Sequence, residues 1–260
     1  MSFTMTGRNA LITGGSLGIG FAIAESFLNA GANVAITARR EDVLGEARER
    51  LASLGKGKVV AVPGDVGKAA DCLRVFSTAH AGLGTIDVLV NNAGASQRGP
   101  FESISDELWQ NDIDLKLFAA IRLGRLVLPG MKARRWGRII NILNTGAKAP
   151  PAEGAPTAVT RAAGMALTKV LANEGAKHNV LVNGLLVGRI ESDQWVRRHA
   201  TEGKNQTMTE YYGDMGKGLP MGRLGTSQEF ANAALFLASD AGSYITGTAI
   251  NVDGGLCPVV

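Results

Sequence analysis

Residues 13–20 of the 260-residue chain read TGGSLGIG, and this glycine-rich stretch decides the fold. The apolar run Asn9–Thr13 leads into it and predicts a strand, while the pattern Ile19–Asn29 follows it and predicts a helix. Spaced glycines between a strand and a helix let the backbone turn tightly and let a ligand approach it closely. The stretch therefore predicts a strand–turn–helix unit whose turn binds a ligand.

Short apolar runs continue to alternate with helical patterns along the chain. Further strands are predicted at Asn33–Thr37, Lys58–Val62, Ile86–Val90, Arg138–Leu143, Val180–Leu186 and Thr248–Val252. Further helices are predicted at Glu41–Leu54, Ala69–Ala81, Asp106–Arg134 (broken or ended near Pro129), Thr157–Lys177 and Thr226–Ala238. This alternation predicts one α/β domain over residues 1–260, a Rossmann-type doubly wound fold with a central parallel sheet of about seven strands and helices on both faces.

Residues 191–222 are less regular than the rest of the chain. Glycines and aromatic residues are interspersed there without helical or strand periodicity. A long irregular insertion in a compact domain is usually a lid or a binding loop. We predict that residues 191–222 form a substrate lid within the domain. Because periodicity does not predict the conformation of such a loop, the sequence leaves the substrate open.

The composition is typical of a globular protein, with 45% apolar and 19% charged residues and a net charge of +4. Basic residues are interspersed with acidic ones, so no nucleic-acid partner is expected. No run approaches ~18 uninterrupted apolar residues, which argues against a membrane span. The two cysteines, Cys72 and Cys257, have neither metal-ligand spacing nor a disulfide framework. We expect a cytoplasmic protein without a bound metal.

A dinucleotide is the ligand that the glycine turn favours. Gly14, Gly18 and Gly20 let the backbone approach a pyrophosphate, whose charge the amino end of the following helix stabilises. An acid at the end of the second strand would bind the 2′-hydroxyl of NAD, but Arg39 and Arg40 stand there. Guanidinium groups suit a 2′-phosphate, so the sequence predicts NADP(H) in preference to NAD(H). The alternative is that both arginines merely begin a solvated helix.

Four further motifs stand at the ends of predicted elements. Asn91-Asn92-Ala93-Gly94 follows the fourth strand, Asp65 follows the third, Arg223-Leu224-Gly225 precedes the last helix and Val252-Asp253-Gly254-Gly255 closes the last strand. With the glycine turn, they resemble the short-chain dehydrogenase/reductase family over most of the chain, and 3-oxoacyl-ACP-reductase-like sequences in particular. The resemblance implies a small-molecule substrate. It also implies a homodimer or homotetramer, with the two helices Asp106–Arg134 and Thr157–Lys177 at a subunit interface.

The same resemblance assigns cofactor contacts to positions in this chain. Val187 replaces the proline that is usual at its position, so the backbone there is expected to run differently. The residues implied to bind the cofactor are Gly14, Ser16, Leu17, Gly18, Ile19, Gly20, Arg39, Arg40, Asp65, Val66, Asn91, Ala93, Gly94, Arg161, Ile190 and Ser192.

The resemblance also implies four catalytic positions, and the residues found there depart from the family pattern. A serine is expected where Asn144 stands, and a Tyr-x-x-x-Lys pair where Thr157 and Arg161 stand. An asparagine is expected in the long helix, where the matching run places Asp114. Asn144 can still donate a hydrogen bond to a carbonyl. A threonine hydroxyl, however, has too high a pKa to act as a general acid near neutral pH.

Two hypotheses follow from these substitutions. The first is that Asp114 and Arg161 form a direct or water-bridged ion pair, because one gains a negative charge and the other carries a guanidinium. The second is that another residue supplies the proton, with Tyr211, Tyr212 and His199 of the predicted lid as candidates.

The sequence supports three readings of function. The first is an NADP(H)-binding oxidoreductase that acts on a carbonyl or hydroxyl substrate through a non-standard active site. The second is a catalytically inactive NADP(H)-binding protein, which the four substitutions would explain. The third is a lyase or hydrolase on the same fold, since a fold does not fix a reaction.

Overall fold

A computed structural model describes residues 3–202 and 206–260 of the chain. The strands in this part are β1 Asn9–Thr13, β2 Asn33–Ala38, β3 Val59–Pro63, β4 Val88–Asn91, β5 Gly137–Asn144, β6 Val180–Val187 and β7 Ala249–Val252. They form one sheet in the order β3-β2-β1-β4-β5-β6-β7, and every neighbouring pair is parallel. The predicted Rossmann-type α/β fold with a seven-stranded parallel sheet is confirmed.

The helices of the described residues cover both faces of this sheet. They are α1 Gly18–Asn29, α2 Glu41–Ala52, α3 Ala69–Leu83, α4 Asp106–Ile113, α5 Ala119–Arg134, α6 Thr157–Gly175, α7 Asp193–Glu202, α8 Met208–Gly216 and α9 Ser227–Ala238. Where a predicted strand or helix has a counterpart, most ends agree within two residues.

The central strands are buried because helices pack on both faces. All five residues of β1 are buried, and successive side chains point to opposite faces. Ile12 packs with Phe27 and Phe230 on the face that α1, α2 and α9 cover. Leu11 packs with Leu123 on the face that α3 and α5 cover. Two apolar layers therefore fix the sheet and align its strand ends.

The long helix predicted at Asp106–Arg134 is interrupted at a different place from the one expected. α5 continues through Pro129 to Arg134, so the predicted break near Pro129 is wrong. An internal proline removes one helical hydrogen bond, but the buried side chains of Leu128 and Met131 hold this turn against the core. The interruption lies at the π-helical turn Asp114–Phe118 between α4 and α5. Single π-turns within helices are frequent at functional sites.

The segment predicted to be irregular contains two helices, α7 and α8. The expectation of irregular structure over residues 191–222 is therefore wrong for Asp193–Glu202 and Met208–Gly216. Thr207 and Glu210 begin α8 with a capping box, in which each side chain accepts from the other's backbone N–H. The glycines of the segment hid this helical signal. Residues 203–205 of the predicted lid lie outside the described residues, as do residues 1–2 of the predicted domain.

Two further observations concern the described residues. None of their helices has the length and apolar character needed to cross a membrane. Cys72 is buried and Cys257 partly buried, and both are free thiols.

Gly20 is expected to be essential to the turn between β1 and α1. A Cβ at Gly20 would collide with the carbonyl oxygen of Gly14 and the amide of Asn92. We expect Gly20→Ala to lower the free energy of unfolding by ~2 kcal/mol or more. Gly45→Ala is the matched control, because a Cβ at this position inside α2 meets nothing within 4 Å. It should raise stability by ~0.5–1 kcal/mol. Urea denaturation measures both, and equal effects would refute the steric argument.

Candidate active site

A cleft of about 1740 Å³ lies at the carboxyl ends of the parallel strands. This is the edge at which doubly wound sheets bind ligands, next to the point where the strand order reverses between β1 and β4. The cleft wall includes most residues that the sequence assigned to cofactor contacts: Gly14, Ser16, Leu17, Gly18, Ile19, Gly20, Arg39, Arg40, Asp65, Val66, Ala93, Gly94, Arg161, Ile190 and Ser192.

Asn91, also assigned to cofactor contacts, does not line this cleft. It is buried within the sheet, and its side-chain amide donates to Asn141 Oδ1 at 2.8 Å. The next residue, Asn92, lines the cleft instead. Its side-chain amide donates to the carbonyl oxygens of Thr13 at 2.9 Å and Gly14 at 3.0 Å. Asn92 therefore ties the loop after β4 to the glycine turn, a role that the sequence motif did not distinguish from that of Asn91.

The glycine turn has the features of an anion site. Gly14 and Gly18 adopt left-handed backbone angles, with φ of +64° and +54°, which favour glycine. No described side chain caps the start of α1 at Leu17, and its first turn contains no acid. The N–H groups of this turn are thus left to a ligand, and the helix dipole favours a negative one. These features fit the pyrophosphate of a dinucleotide.

Arg39 and Arg40 lie at the end of β2, where the cleft widens to solvent. Both are exposed and line the cleft, and neither forms an ion pair with another described residue. Their guanidinium groups are therefore accessible to an anionic ligand. The residues present fit a nicotinamide dinucleotide that carries a 2′-phosphate.

Three of the four predicted catalytic positions meet in the cleft. Asn144, at the end of β5, lines it together with Thr157 and Arg161 of α6. The Arg161 guanidinium donates to the carbonyl oxygen of Ile142 at 2.7 Å and packs against Gly94. Burial lowers the pKa of Arg161 to about 10, so the group stays positively charged at neutral pH.

Asp114, the fourth predicted position, does not join this group. It lies in the π-turn outside the cleft wall and forms an ion pair with Arg122, Nη2 to Oδ1, at 2.8 Å. Gln110 donates to its other oxygen at 2.7 Å. The direct Asp114–Arg161 ion pair is therefore not formed, because the turn directs Asp114 towards Arg122 of α5. The carboxylate that acts electrostatically on Arg161 is that of Asp112.

Lys116 is the residue that the sequence analysis missed. Its Nζ donates to Thr157 Oγ1 at 2.7 Å and to Asp112 Oδ1, and only 1% of its side chain is exposed. Burial, and then the positive charge of Arg161, lower the pKa of Lys116 from 10.5 to about 8, against the opposing effect of Asp112. A lysine that titrates near neutral pH beside a cleft is a candidate acid or base.

The Thr157 hydroxyl stands between Lys116 and the cleft. Its oxygen accepts from Lys116 Nζ and also from the backbone N–H of Gln97 at 2.9 Å. A hydroxyl oxygen has two acceptor sites and one hydrogen to donate. Because both acceptor sites are occupied, the hydrogen of Thr157 is available to a group in the cleft.

The predicted lid forms the opposite wall of the cleft through Trp195, Arg198, Tyr211 and Met215. Tyr211 packs its ring against His199, with centroids 5.2 Å apart, and His199 Nε2 lies 2.8 Å from the carbonyl oxygen of Gln206. Burial raises the pKa of Tyr212, which opposes its ionisation near neutral pH. Of the three candidate proton donors Tyr211, Tyr212 and His199, Tyr211 lines the cleft and the other two do not.

One signal in the sequence could have found the Lys116 site. Asp112 and Lys116 are four residues apart in a helical pattern, which places an acid and a base on one face. Such pairs are common on solvated helix faces, and nothing in the sequence shows that this one is buried. Among the residues that the structure describes, no cluster of three His, Cys, Asp or Glu could hold a metal ion.

Known proteins match this chain along almost its whole length. A family profile described as enoyl-(acyl carrier protein) reductase matches residues 14–257. The 3-oxoacyl-[acyl-carrier-protein] reductase FabG of Chlamydia muridarum is 35% identical over 98% of this chain and 100% of its own. The chain belongs to the short-chain dehydrogenase/reductase family.

Solved structures of this oxidoreductase family superpose closely on the chain. L-sorbose reductase from Gluconobacter frateurii, complexed with NADPH and L-sorbose, is 34% identical with a TM-score of 0.95, and the match covers 100% of both chains. An NADPH-bound short-chain oxidoreductase from Pseudomonas aeruginosa PAO1, described as containing an atypical catalytic center, is also 34% identical, with a TM-score of 0.91. That match covers 99% of this chain and 100% of the other.

The electrostatic coupling within this short-chain dehydrogenase/reductase site can be measured. Since the charge of Arg161 lowers the pKa of Lys116, we expect Arg161→Met to move that pKa from about 8 towards 10.5. Arg98→Met removes the same charge from an exposed position of the cleft and should leave the pKa unchanged. NMR titration of lysine labelled with ¹³C at Cε measures both. An unchanged Lys116 pKa in Arg161→Met would contradict the coupling.

Proposed function

We propose that this protein is an NADPH-dependent carbonyl reductase whose proton comes from Lys116 through the hydroxyl of Thr157. The observation that carries the proposal is the hydrogen bond of 2.7 Å between Lys116 Nζ and Thr157 Oγ1, because Thr157 lines the cleft and Lys116 lies directly behind it. The pair supplies the acid that the sequence alone did not reveal. The substrate is a small ketone or aldehyde that binds between Thr157, Asn144 and the lid.

The proton route does not require Thr157 to ionise. NADPH, when bound, supplies the hydride to the carbonyl carbon. As negative charge develops on the carbonyl oxygen, Thr157 donates its hydrogen to that oxygen and receives one from Lys116 Nζ in its place. The C=O double bond becomes a C–O–H group, and Lys116 is left neutral. The pKa of about 8 at Lys116 suits this transfer near neutral pH.

Two further residues would stabilise the reacting carbonyl. Asn144 carries a buried Oδ1 without a hydrogen-bond partner in the described part of the chain, and its amide nitrogen can donate towards the cleft. Arg161 keeps a positive charge close to the developing oxyanion and to the ribose position that the family resemblance implies. Asn144 and Arg161 would bind and polarise the carbonyl group, whereas Lys116 and Thr157 would transfer the proton.

The preference for NADP(H) over NAD(H) is part of the proposal. Arg39 and Arg40, which are exposed after β2 and form no ion pair within the described part of the chain, support it because they offer bidentate donors to a 2′-phosphate. The NADPH in the Gluconobacter frateurii and Pseudomonas aeruginosa structures supports it as well. The atypical catalytic center described for the second protein supports a family member that works through substituted residues.

We further propose that the protein is a cytoplasmic homodimer or homotetramer in which each subunit is a single domain. Exposed apolar side chains of α4, the π-turn and α6 support self-association: Leu108, Phe118, Val159 and Val170. The free thiols Cys72 and Cys257 fit a reducing compartment. The lid proposed for residues 191–222 is supported by Trp195 and Tyr211, whose side chains line the cleft.

Cofactor preference can be tested by removing the arginines. We expect Arg39→Ala combined with Arg40→Ala to weaken NADPH binding by ~10- to 100-fold, because charge-assisted hydrogen bonds to the 2′-phosphate are lost. NADH binding should change by less than about twofold, since that cofactor lacks the phosphate. Arg48→Ala, on the exposed face of α2 outside the cleft, is the charge control. Fluorescence titration measures the dissociation constants, and tighter NADH than NADPH binding by the unmodified protein would reverse the assignment.

The proton route can be tested by turnover of a panel of ketones, aldehydes and quinones. We expect Thr157→Val and Lys116→Met each to lower kcat by ~10²- to 10⁴-fold, and the double variant to be no worse than either, because the residues act in series. Lys169→Met is the control: Lys169 is an exposed residue of α6, the helix that contains Thr157, and this variant should retain full activity.

The pH dependence of kcat is an independent test of the proton route. Because Lys116 donates when protonated, kcat for reduction should fall above about pH 8, and kcat for alcohol oxidation should rise there. Full activity of Thr157→Val would disprove the route. Tight NADPH binding without turnover of any substrate would support the inactive nucleotide-binding protein instead.

A further inference from the structure

We propose that Asp112, held by the hydroxyl of Thr160, is a positioning residue that keeps Lys116 protonated and directed at Thr157. The inference rests on the proposed proton route and adds two residues to it. Neither residue lines the cleft, so neither contacts substrate or cofactor. Both act on the reaction through Lys116.

The geometry begins with the π-turn between α4 and α5. Asp112 stands in the last turn of α4, and Lys116 follows four residues later inside the π-turn. The wider turn directs both side chains towards α6, where Asp112 is 2% exposed. An ion pair buried to this degree costs desolvation that its own attraction offsets only when the geometry is good. The Asp112–Lys116 pair lies behind Thr157, and the hydrogen bond from Lys116 to Thr157 connects the pair to the cleft.

Each oxygen of the Asp112 carboxylate has its own donor. Lys116 Nζ donates to Oδ1, and the Thr160 hydroxyl donates to Oδ2 at 2.6 Å. Because a carboxylate only accepts, the direction of both bonds is fixed. Thr157 and Thr160 are three residues apart and lie on the same face of α6. Asp112 therefore links α6 to the π-turn, and this link sets the reach of Lys116 to Thr157.

The charges around Lys116 explain why a carboxylate is needed. The charged groups that face its ammonium are Asp112 from α4 and Arg161 from α6, while Thr157 and Thr160 are neutral. Burial and Arg161 both disfavour the protonated amine, and Asp112 is the partner that favours it. Without Asp112, Lys116 would lose its proton at a lower pH, so a smaller fraction of the protein could donate it near neutral pH.

The result is a continuous line of hydrogen bonds behind the cleft wall. It runs from the Thr160 hydroxyl through Asp112 and Lys116 to the Thr157 hydroxyl, whose own hydrogen is left for a group in the cleft. Thr157 also accepts from Gln97, which leaves it no alternative acceptor site for a group in the cleft. The orientation of the whole line thus depends on the carboxylate at its centre.

The test is an NMR titration of the full chain with lysine labelled with ¹³C at Cε, in which Lys116→Met assigns the Lys116 signal. We expect Asp112→Asn to lower the protonation constant of Lys116 at least ~tenfold, since a neutral amide replaces the charge. Thr160→Val should lower it less, and Thr160→Ser, which keeps the hydroxyl, should restore it. Asp114→Asn is the matched control two residues away, because Asp114 pairs with Arg122. It should leave the Lys116 titration unchanged.

Kinetics give a second measurement. In Asp112→Asn and Thr160→Val, the fall in kcat with pH should begin at a lower pH than in the unmodified protein, with KM and NADPH affinity unchanged. A Lys116 titration that is the same in Asp112→Asn, Thr160→Val and the unmodified protein would overturn the inference. If Asp112→Asn does not fold, the comparison of Thr160→Val with Thr160→Ser decides.

The two proposals fail in different ways. Titrations that shift as expected in a protein without turnover would support the positioning role and disprove the reductase. If turnover requires Lys116 and Thr157 but the Lys116 titration is unchanged in Asp112→Asn and Thr160→Val, the reductase is supported and the positioning role is disproved.

Discussion

The parallel pairing of β1 with β4 is the constraint on which the site depends. It brings the glycine turn after β1 against the loop after β4, where the Thr13 hydroxyl accepts from the backbone N–H groups of Asn92 and Ala93 at 3.0 and 2.9 Å. Asn92 returns two hydrogen bonds to the turn. Buried backbone groups need such partners, so the two loops hold one another in place. The cofactor cleft and the wall that contains Gly94 and Arg161 follow from this contact.

Behind that wall the protein holds two cations close together with one carboxylate. Burial lowers the pKa of both cations, the charge of Arg161 lowers that of Lys116 further, and Asp112 opposes both shifts. A buried arrangement of this kind gains little stability, because desolvation consumes most of the attraction. Perturbed groups of this type concentrate at functional sites, where a pKa near neutrality is useful. The charge balance therefore fits a reaction better than a structural role.

The proposed proton source also separates two tasks that the family resemblance assigns to one tyrosine. That tyrosine would both contact the substrate and carry a pKa suited to the transfer. In the proposed route Thr157 would make the contact, and Lys116 in the π-turn, with its pKa of about 8, would supply the proton. The hydroxyl can remain a neutral relay because its lone pairs already accept from Lys116 and Gln97. The absence of a tyrosine at position 157 is thus compatible with general-acid catalysis in which Lys116 of the π-turn supplies the proton.

The sequence by itself determined the α/β fold and the glycine turn, because strand and helix periodicity and local turn chemistry are short-range properties. The other cleft residues came from the family resemblance, and all of the residues assigned to the cofactor line the cleft except Asn91. The sequence did not determine that α5 passes through Pro129, or that Asp114 turns to Arg122 and Lys116 to Thr157. Those outcomes depend on a π-turn and on the packing of the π-turn against α6. An acid and a base four residues apart have the same sequence pattern whether they face water or pack against another helix. The pKa of each group depends on that burial, which only the tertiary structure decides.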